Sequence, residues 1–253
     1  MCIRDRSYPE WLVESWIGEF GPETAARMLE AGNQAPAVVL RANTLRVSRD
    51  ELAEKLGRLG GAAPTGTDVN AGATAGVATQ PGLYAPEALR IVGPLESVES
   101  LPGFAEGLFS VQDESSMLVA HVMGRPRLVI DACAAPGGKA THIAELAHDQ
   151  SRVVACDVSA RKVALISESA RRLGLRSVEA VECDARELPT EWAGKADAVL
   201  VDAPCTGLGV LARRADARWR KGTGDIAKLA PVEAEILALL LINHVTRANA
   251  NRC

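Results

Sequence analysis

Arg127 to Leu146 reads RLVIDACAAPGGKATHIAEL. Leu128-Val129-Ile130 is a short apolar run ending on Asp131. Small residues follow from Ala132 to Gly138, and then Ile143, Ala144 and Leu146 recur at helical spacing. Strand, glycine turn and helix form the first half of a βαβ unit. Gly137 and Gly138 lack a β-carbon, so the backbone can bend sharply there and a ligand can come close. The helix that begins near Lys139 aims its unsatisfied N–H groups into the same space. A P-loop would need G-x-x-x-x-G-K-[ST]. Here Cys133 stands where the first glycine belongs, and Ala140 replaces the magnesium-binding hydroxyl. This turn also lacks the G-x-G-x-x-G dinucleotide fingerprint, so neither nucleotide hydrolysis nor dinucleotide chemistry is expected.

Outward from this stretch, strands and helices alternate. Arg152 to Asp157, Ser177 to Asp184 and Asp197 to Asp202 read as strands, and Arg161 to Leu173 and Val232 to His244 as helices. That alternation predicts an α/β fold with a parallel, doubly wound sheet. Ligands of such sheets sit beyond the C-terminal ends of the strands. Asp131, Asp157, Asp184 and Asp202 each occupy that place, one per strand. A single acid there is usually a helix N-cap; four in register beside a glycine turn point to a ligand. The ligand they suit carries ribose hydroxyls, an adenine amine and an ammonium group, with little negative charge. S-adenosylmethionine fits, with Asp157 on the ribose hydroxyls, Asp184 on the adenine amine, and Asp202 facing the methionine ammonium or the substrate base.

Next after the last strand comes Asp202-Ala203-Pro204-Cys205-Thr206-Gly207, in which Pro204 stiffens the turn and presents Cys205 over the crevice. A thiol there suits methylation of cytosine carbon-5. That carbon becomes nucleophilic only when a thiolate has added to carbon-6. The small buried role of a cysteine fits Cys133, Cys156 and Cys183 better than Cys205.

Upstream, Tyr8 to Ala31 predicts two short helices broken at Gly21-Pro22, with Trp11 and Trp16 read as core rather than as base-stacking platforms. Ala37 to Asn43 reads as a strand, and Ser48 to Leu59 as a helix with a Ser48–Glu51 capping box. Ala62 to Gly82 reads as loop with one weak strand. Ala88 to Val92 and Gly107 to Val111 are two further strands, and Gln112 to Met123 a helix. The expected division is a helical segment 1–36, a small α+β domain 37–111 and the sheet domain 112–253. Met1 to Ser7 has no periodicity and is left out of the fold reading.

Length is 253 residues, with 47% apolar and 24% charged residues and a net charge of −4, so any nucleic-acid affinity must be local. Six cysteines, at 2, 133, 156, 183, 205 and 253, include no C-x-x-C pair, and no metal site is expected. Reduced thiols in a cytoplasmic monomer without a membrane span are the expectation. Arg213, Arg214, Arg218, Arg220 and Lys221 surround Trp219. Basic residues beside an aromatic suit RNA, and equally a solvated face. Arg161, Lys162, Arg171 and Arg172 read as solvated surface.

DACAAPGGKATHIAEL, ACDVSARKV, ECDAREL and VLVDAPCTGLGVL, in this order and spacing, resemble the RsmB/Nop (Sun) family of RNA cytosine-C5 methyltransferases, with the bacterial branch acting on small-subunit ribosomal RNA most similar. The likeness runs from about Val38 to Leu240. It implies a Rossmann-like methyltransferase domain preceded by an RNA-recognition-like domain. It also implies S-adenosylmethionine held by Cys133, Ala134, Ala135, Pro136, Gly137, Gly138 and Lys139 with Asp157, Asp184 and Asp202. The family uses two thiols: the D-A-P-C cysteine, here Cys205, assists product release, and a later T-C-S segment supplies the attacking thiol. No T-C-S occurs in the sequence, and the residues after Leu240 lack the expected glycine turn. The expectation is therefore a chain cut before its nucleophile, with cofactor binding kept and turnover lost. Two rivals stand beside it: a methyltransferase acting on another nucleophile with Cys205 structural, and a non-catalytic RNA-binding assembly factor.

Overall fold

A computed structural model describes residues 7–58, 76–214 and 216–243. Met1 to Arg6, most of the Ala62 to Gly82 loop, and Cys253 with its neighbours lie outside the described residues. Two compact units result, one taking the chain as far as Pro36 together with Ala203–Leu237, the other comprising Ala37–Asp202 and the residues from Ala238. This grouping cuts across the division expected from sequence at Ala203.

In the first unit, α1 (Glu10–Phe20) ends at Gly21, whose φ of 77° no β-carbon opposes, and α2 (Pro22–Asn33) begins on Pro22. Proline suits a first helical position because the missing N–H would have had no acceptor there. Tyr8, Leu12, Val13 and Leu29 bury themselves against Leu211, with Trp11 and Trp16 packed alongside. This apolar cluster is what gathers residues after Ala203 to the N-terminal helices. It also seats both tryptophans as the sequence reading placed them.

A four-stranded antiparallel sheet, order β2-β3-β1-β4, opens the second unit: β1 (Val39–Ala42), β2 (Thr79–Pro81), β3 (Ala88–Ile91) and β4 (Phe109–Val111). Between β1 and β2 lies α3 (Arg49–Gly57), with the capping box formed as predicted: Ser48 Oγ accepts from the Glu51 N–H, and Glu51 accepts from the Ser48 N–H. Leu40 and Ala42 face Leu52, Leu56 and Phe109. By the two-residue period of a strand, Val39 and Arg41 face the other way, and Val39 meets Met117 of α4 (Glu114–Met123).

The parallel sheet has order β7-β6-β5-β8, from β5 (Leu128–Asp131), β6 (Arg152–Asp157), β7 (Val178–Glu182) and β8 (Ala198–Leu200). It is crossed by α5 (Gly138–Leu146) and α6 (Ala160–Leu173). Ala140, Ile143 and Ala144 pack on Val129, Val153 and Ile166. A short α7 (Ala217–Arg220) precedes α8 (Thr223–Asn243), which starts nine residues before the predicted Val232 because the helix carries through Pro231. No helix among the described residues is long and apolar enough to cross a membrane.

Candidate functional site

The C-terminal rim of the parallel sheet gathers the acids. Asp131 ends β5 and Asp157 ends β6, in register with Ala155 and Glu182 of the neighbouring strands; Asp184 and Asp202 lie two residues beyond β7 and β8. The thiol of Cys133 reports their convergence. Burial first, and then the charges of Asp131, Asp157, Asp202 and Asp184, push it up to about 11.

The turn itself runs through a cis Ala135–Pro136 bond to Gly137, the N-cap of α5, with φ 102° and no side chain capping the helix. A β-carbon on Gly137 would lie 3.3 Å from Ile166 Cα, so glycine is required there by the left-handed backbone and by α6. Gly138 has no such constraint, since its nearest neighbour would be Gln112 Cδ at 3.9 Å. Ala134 is buried and held by its N–H on Cys156 O at 2.7 Å, while Cys133, Ala135 and Lys139 are half-buried and Pro136 is exposed.

Each acid has its own surroundings. Asp131 is buried, and neither oxygen has an aligned hydrogen-bond donor among the described residues. Burial, helped by Asp202 and opposed by Lys139, raises its carboxyl to about 7. Asp157 is buried too, accepts from the Ser159 N–H at 3.0 Å, and has Lys162 Nζ at 3.6 Å. Lys162 itself stays exposed, as expected of that helix face. Asp184 is clasped by Arg186, through its N–H at 2.9 Å and its guanidinium at 2.6 Å, and these bonds hold the carboxyl down at about 2. Asp202 is exposed and pairs with Lys139. Cys205 lies in the first unit, exposed, whereas Cys156 is buried and Cys133 and Cys183 are half-buried.

The basic cluster around Trp219 divides. Arg218 is only 6% exposed. It stacks over the Tyr8 ring at 4.1 Å and donates to Asn33 Oδ1 at 2.7 Å and to Gly32 O. It braces the N-terminal helices, which corrects its expected role in the cluster. Arg220 is engaged by Asp216, and Trp219 remains 65% exposed. Arg172 likewise departs from the expected solvated face: it donates to Phe104 O at 2.8 Å and Phe109 O at 2.9 Å and stacks on Phe104.

Sequence reasoning missed a buried polar seam behind the turn. Arg41, fully buried on β1, donates to Gly138 O at 2.7 Å, Thr141 Oγ1 at 3.1 Å, Glu145 Oε1 at 2.8 Å and Gln112 Oε1. The antiparallel sheet thereby grips the first turn of the helix that follows the glycines. A charged residue inside the apolar strand AVVLRAN was the available signal.

Comparison with known proteins follows the same outline. Residues 123–249 match the family described as 16S rRNA methyltransferase RsmB/F, and residues 8–98 match the ferredoxin-like domain of RsmF/B-like methyltransferases. The probable ribosomal RNA small subunit methyltransferase B of Bacillus subtilis is 36% identical over 92% of this chain, and the ribosomal RNA small subunit methyltransferase B of Klebsiella pneumoniae 36% over 91%. The chain spans about half the length of each of these relatives, 49%. Among solved structures, PH0851 superposes with a TM-score of 0.85 at 28% identity, over 96% of this chain and 52% of that one. NSun6 from Pyrococcus horikoshii, determined with SFG, superposes at 0.78 and 23% identity, over 92% of this chain and 79% of its own, a likeness of fold.

Proposed function

Because the chain belongs to the RsmB/F family of 16S rRNA methyltransferases, which use S-adenosylmethionine, we propose that its glycine turn and rim acids bind that methyl donor for transfer to carbon-5 of a cytosine in small-subunit ribosomal RNA. The observation that carries this reading is the convergence of four carboxylates around an uncapped helix start on one sheet rim. The donor set fits the ligand. It offers acids for hydroxyl, amine and ammonium groups, and it lacks the Gly-rich, Lys-Ser cradle that phosphates need.

In this reading Cys133, Ala134, Ala135, Pro136, Gly137 and Gly138 lend the close backbone, and Asp157 accepts from the ribose hydroxyls. Asp184 receives the adenine amine beside its Arg186 clasp. Lys139 holds Asp202 in place toward the ammonium group or the base. When bound, S-adenosylmethionine supplies an electrophilic methyl group. The thiol chemistry belongs to cysteine: addition to carbon-6 makes carbon-5 nucleophilic, and loss of the carbon-5 proton with release of sulfur restores the ring. Cys205 assists the release, and the attacking thiol is that of the family's T-C-S segment, which the 253 residues do not contain. The protein works as a cytoplasmic monomer on RNA.

Isothermal titration with S-adenosylmethionine tests the site. One equivalent binds, and Asp157→Ala abolishes binding while the fold, read by circular dichroism, persists. No heat with the unaltered chain overturns the cofactor assignment. For the chemistry, a reading frame extended through a T-C-S segment is incubated with RNA containing 5-fluorocytosine. A covalent adduct supports thiol addition, and methyl transfer without an adduct to normal RNA favours another nucleophile.

A further inference from the structure

A second cluster of donors lies away from the rim. Glu87, just before β3, His121 on α4 and His142 on α5 bring one ligand atom each within 4.8 Å of one another. Glu87 Oε1 is 2.9 Å from His121 Nε2 and 2.8 Å from His142 Nε2. His142 is 1% exposed, and its contact with Glu87 is close but misaligned, so neither ring nitrogen has a hydrogen-bond partner among the described residues. A buried imidazole with both nitrogens unmatched is costly unless something else takes up the lone pair. His121, a third exposed, gives the cluster an opening to solvent.

We propose that Glu87, His121 and His142 form a binding site for a divalent transition-metal ion of the zinc class, joining the antiparallel sheet domain to α4 and α5. Two imidazoles and one carboxylate are the donor set that zinc accepts with a fourth position left to water. Tetrahedral bonds of about 2.0–2.1 Å would place the donor atoms roughly 3.3 Å apart. The two short contacts need open by only about half an ångström. The ligands come from three separate elements, 34 and 21 residues apart in sequence, so no spacing motif announces them. An ion there would lock the seam behind the glycine turn, because α5 carries both His142 and the residues that Arg41 grips.

The test is titration of the chelator-treated full chain with Co2+ and Zn2+ alone. Expected are one equivalent bound at micromolar concentration or tighter and tetrahedral Co2+ visible bands without thiolate charge-transfer absorption. Zn2+ should also raise the melting temperature. His121→Ala, a partly exposed position that leaves the fold intact, weakens Zn2+ binding at least thirtyfold and removes the thermal shift. Glu87→Gln weakens it as well. Absence of stoichiometric binding, thiolate bands from the cysteines, or binding unchanged in His121→Ala would overturn the site.

Discussion

Replacing Arg41 by methionine removes a guanidinium that nothing else in the seam can replace. Its partner Glu145 is 1% exposed, and burial already raises that carboxyl despite the attraction of Arg41. Breaking a buried pair leaves an uncompensated charge, worth about 3–5 kcal/mol. The orphaned Gly138 carbonyl adds about 1 kcal/mol. The expected loss is about 5 kcal/mol at pH 8, a large share of the total of about 5–15 kcal/mol that domains possess. Removing both partners together, Arg41→Met with Glu145→Met, should lose no more than about 4 kcal/mol, because apolar replacements of a buried pair leave no lone charge. The sign of the pH dependence follows from Glu145. Its folded pKa lies above its unfolded one, so the charge penalty is absent below the unfolded value and complete above the folded value. The single-variant loss therefore shrinks toward pH 4. Urea unfolding followed by tryptophan fluorescence and circular dichroism measures all four corners of the cycle. Should the single variant prove too unstable, Arg41→Lys keeps the charge, loses the fork and costs about 2 kcal/mol in charge-assisted hydrogen bonds. A single-variant loss under about 1 kcal/mol, or losses that simply add in the double variant, would refute the reasoning.

Asp131→Asn should gain stability relative to the parent as pH rises from 3.8 to about 7, by on the order of 4 kcal/mol in total, and no more above that. The native state of the parent holds a proton that the unfolded chain has released, so its stability falls across that window. Urea midpoints at unit pH steps give the slope, and parallel curves would contradict it. Gly137→Ala should destabilise by about 2 kcal/mol through its φ of 102° and the nearby Ile166 backbone, while Gly138→Ala should stay within about 0.5 kcal/mol. Equal effects in thermal melts would count against the assigned difference. Arg218→Ala should cost about 2–4 kcal/mol by emptying its place over Tyr8 among the carbonyls. Trp219→Ala should leave stability unchanged, and a reversed order in chemical denaturation would show that Arg218 is not a brace.

Much of the site was legible before the fold. A short continuous apolar run, two adjacent glycines and a helical run fixed β5, the turn and α5, and four acids at predicted strand ends fell on one rim. These features are local in sequence, and a parallel sheet converts register along the chain into position along an edge. What stayed hidden depends on which faces meet. On α5, Thr141, His142 and Glu145 form a polar stripe that a single helix would turn to solvent, yet all three are buried. Arg218 and Arg172 read as exposed charge until Tyr8 and Phe104 cover them.

The order of residues by itself determined the strand–turn–helix unit, the alternation that makes the sheet parallel, and the row of acids, because each follows from spacing within a few turns of chain. Only the tertiary structure decided that the antiparallel sheet of the second unit closes over the polar face of α5. That closure makes Arg41, Glu87, His142 and Glu145 interior groups. The reason is physical: desolvation is set by what packs against a side chain, and partners a hundred residues away leave no period to read.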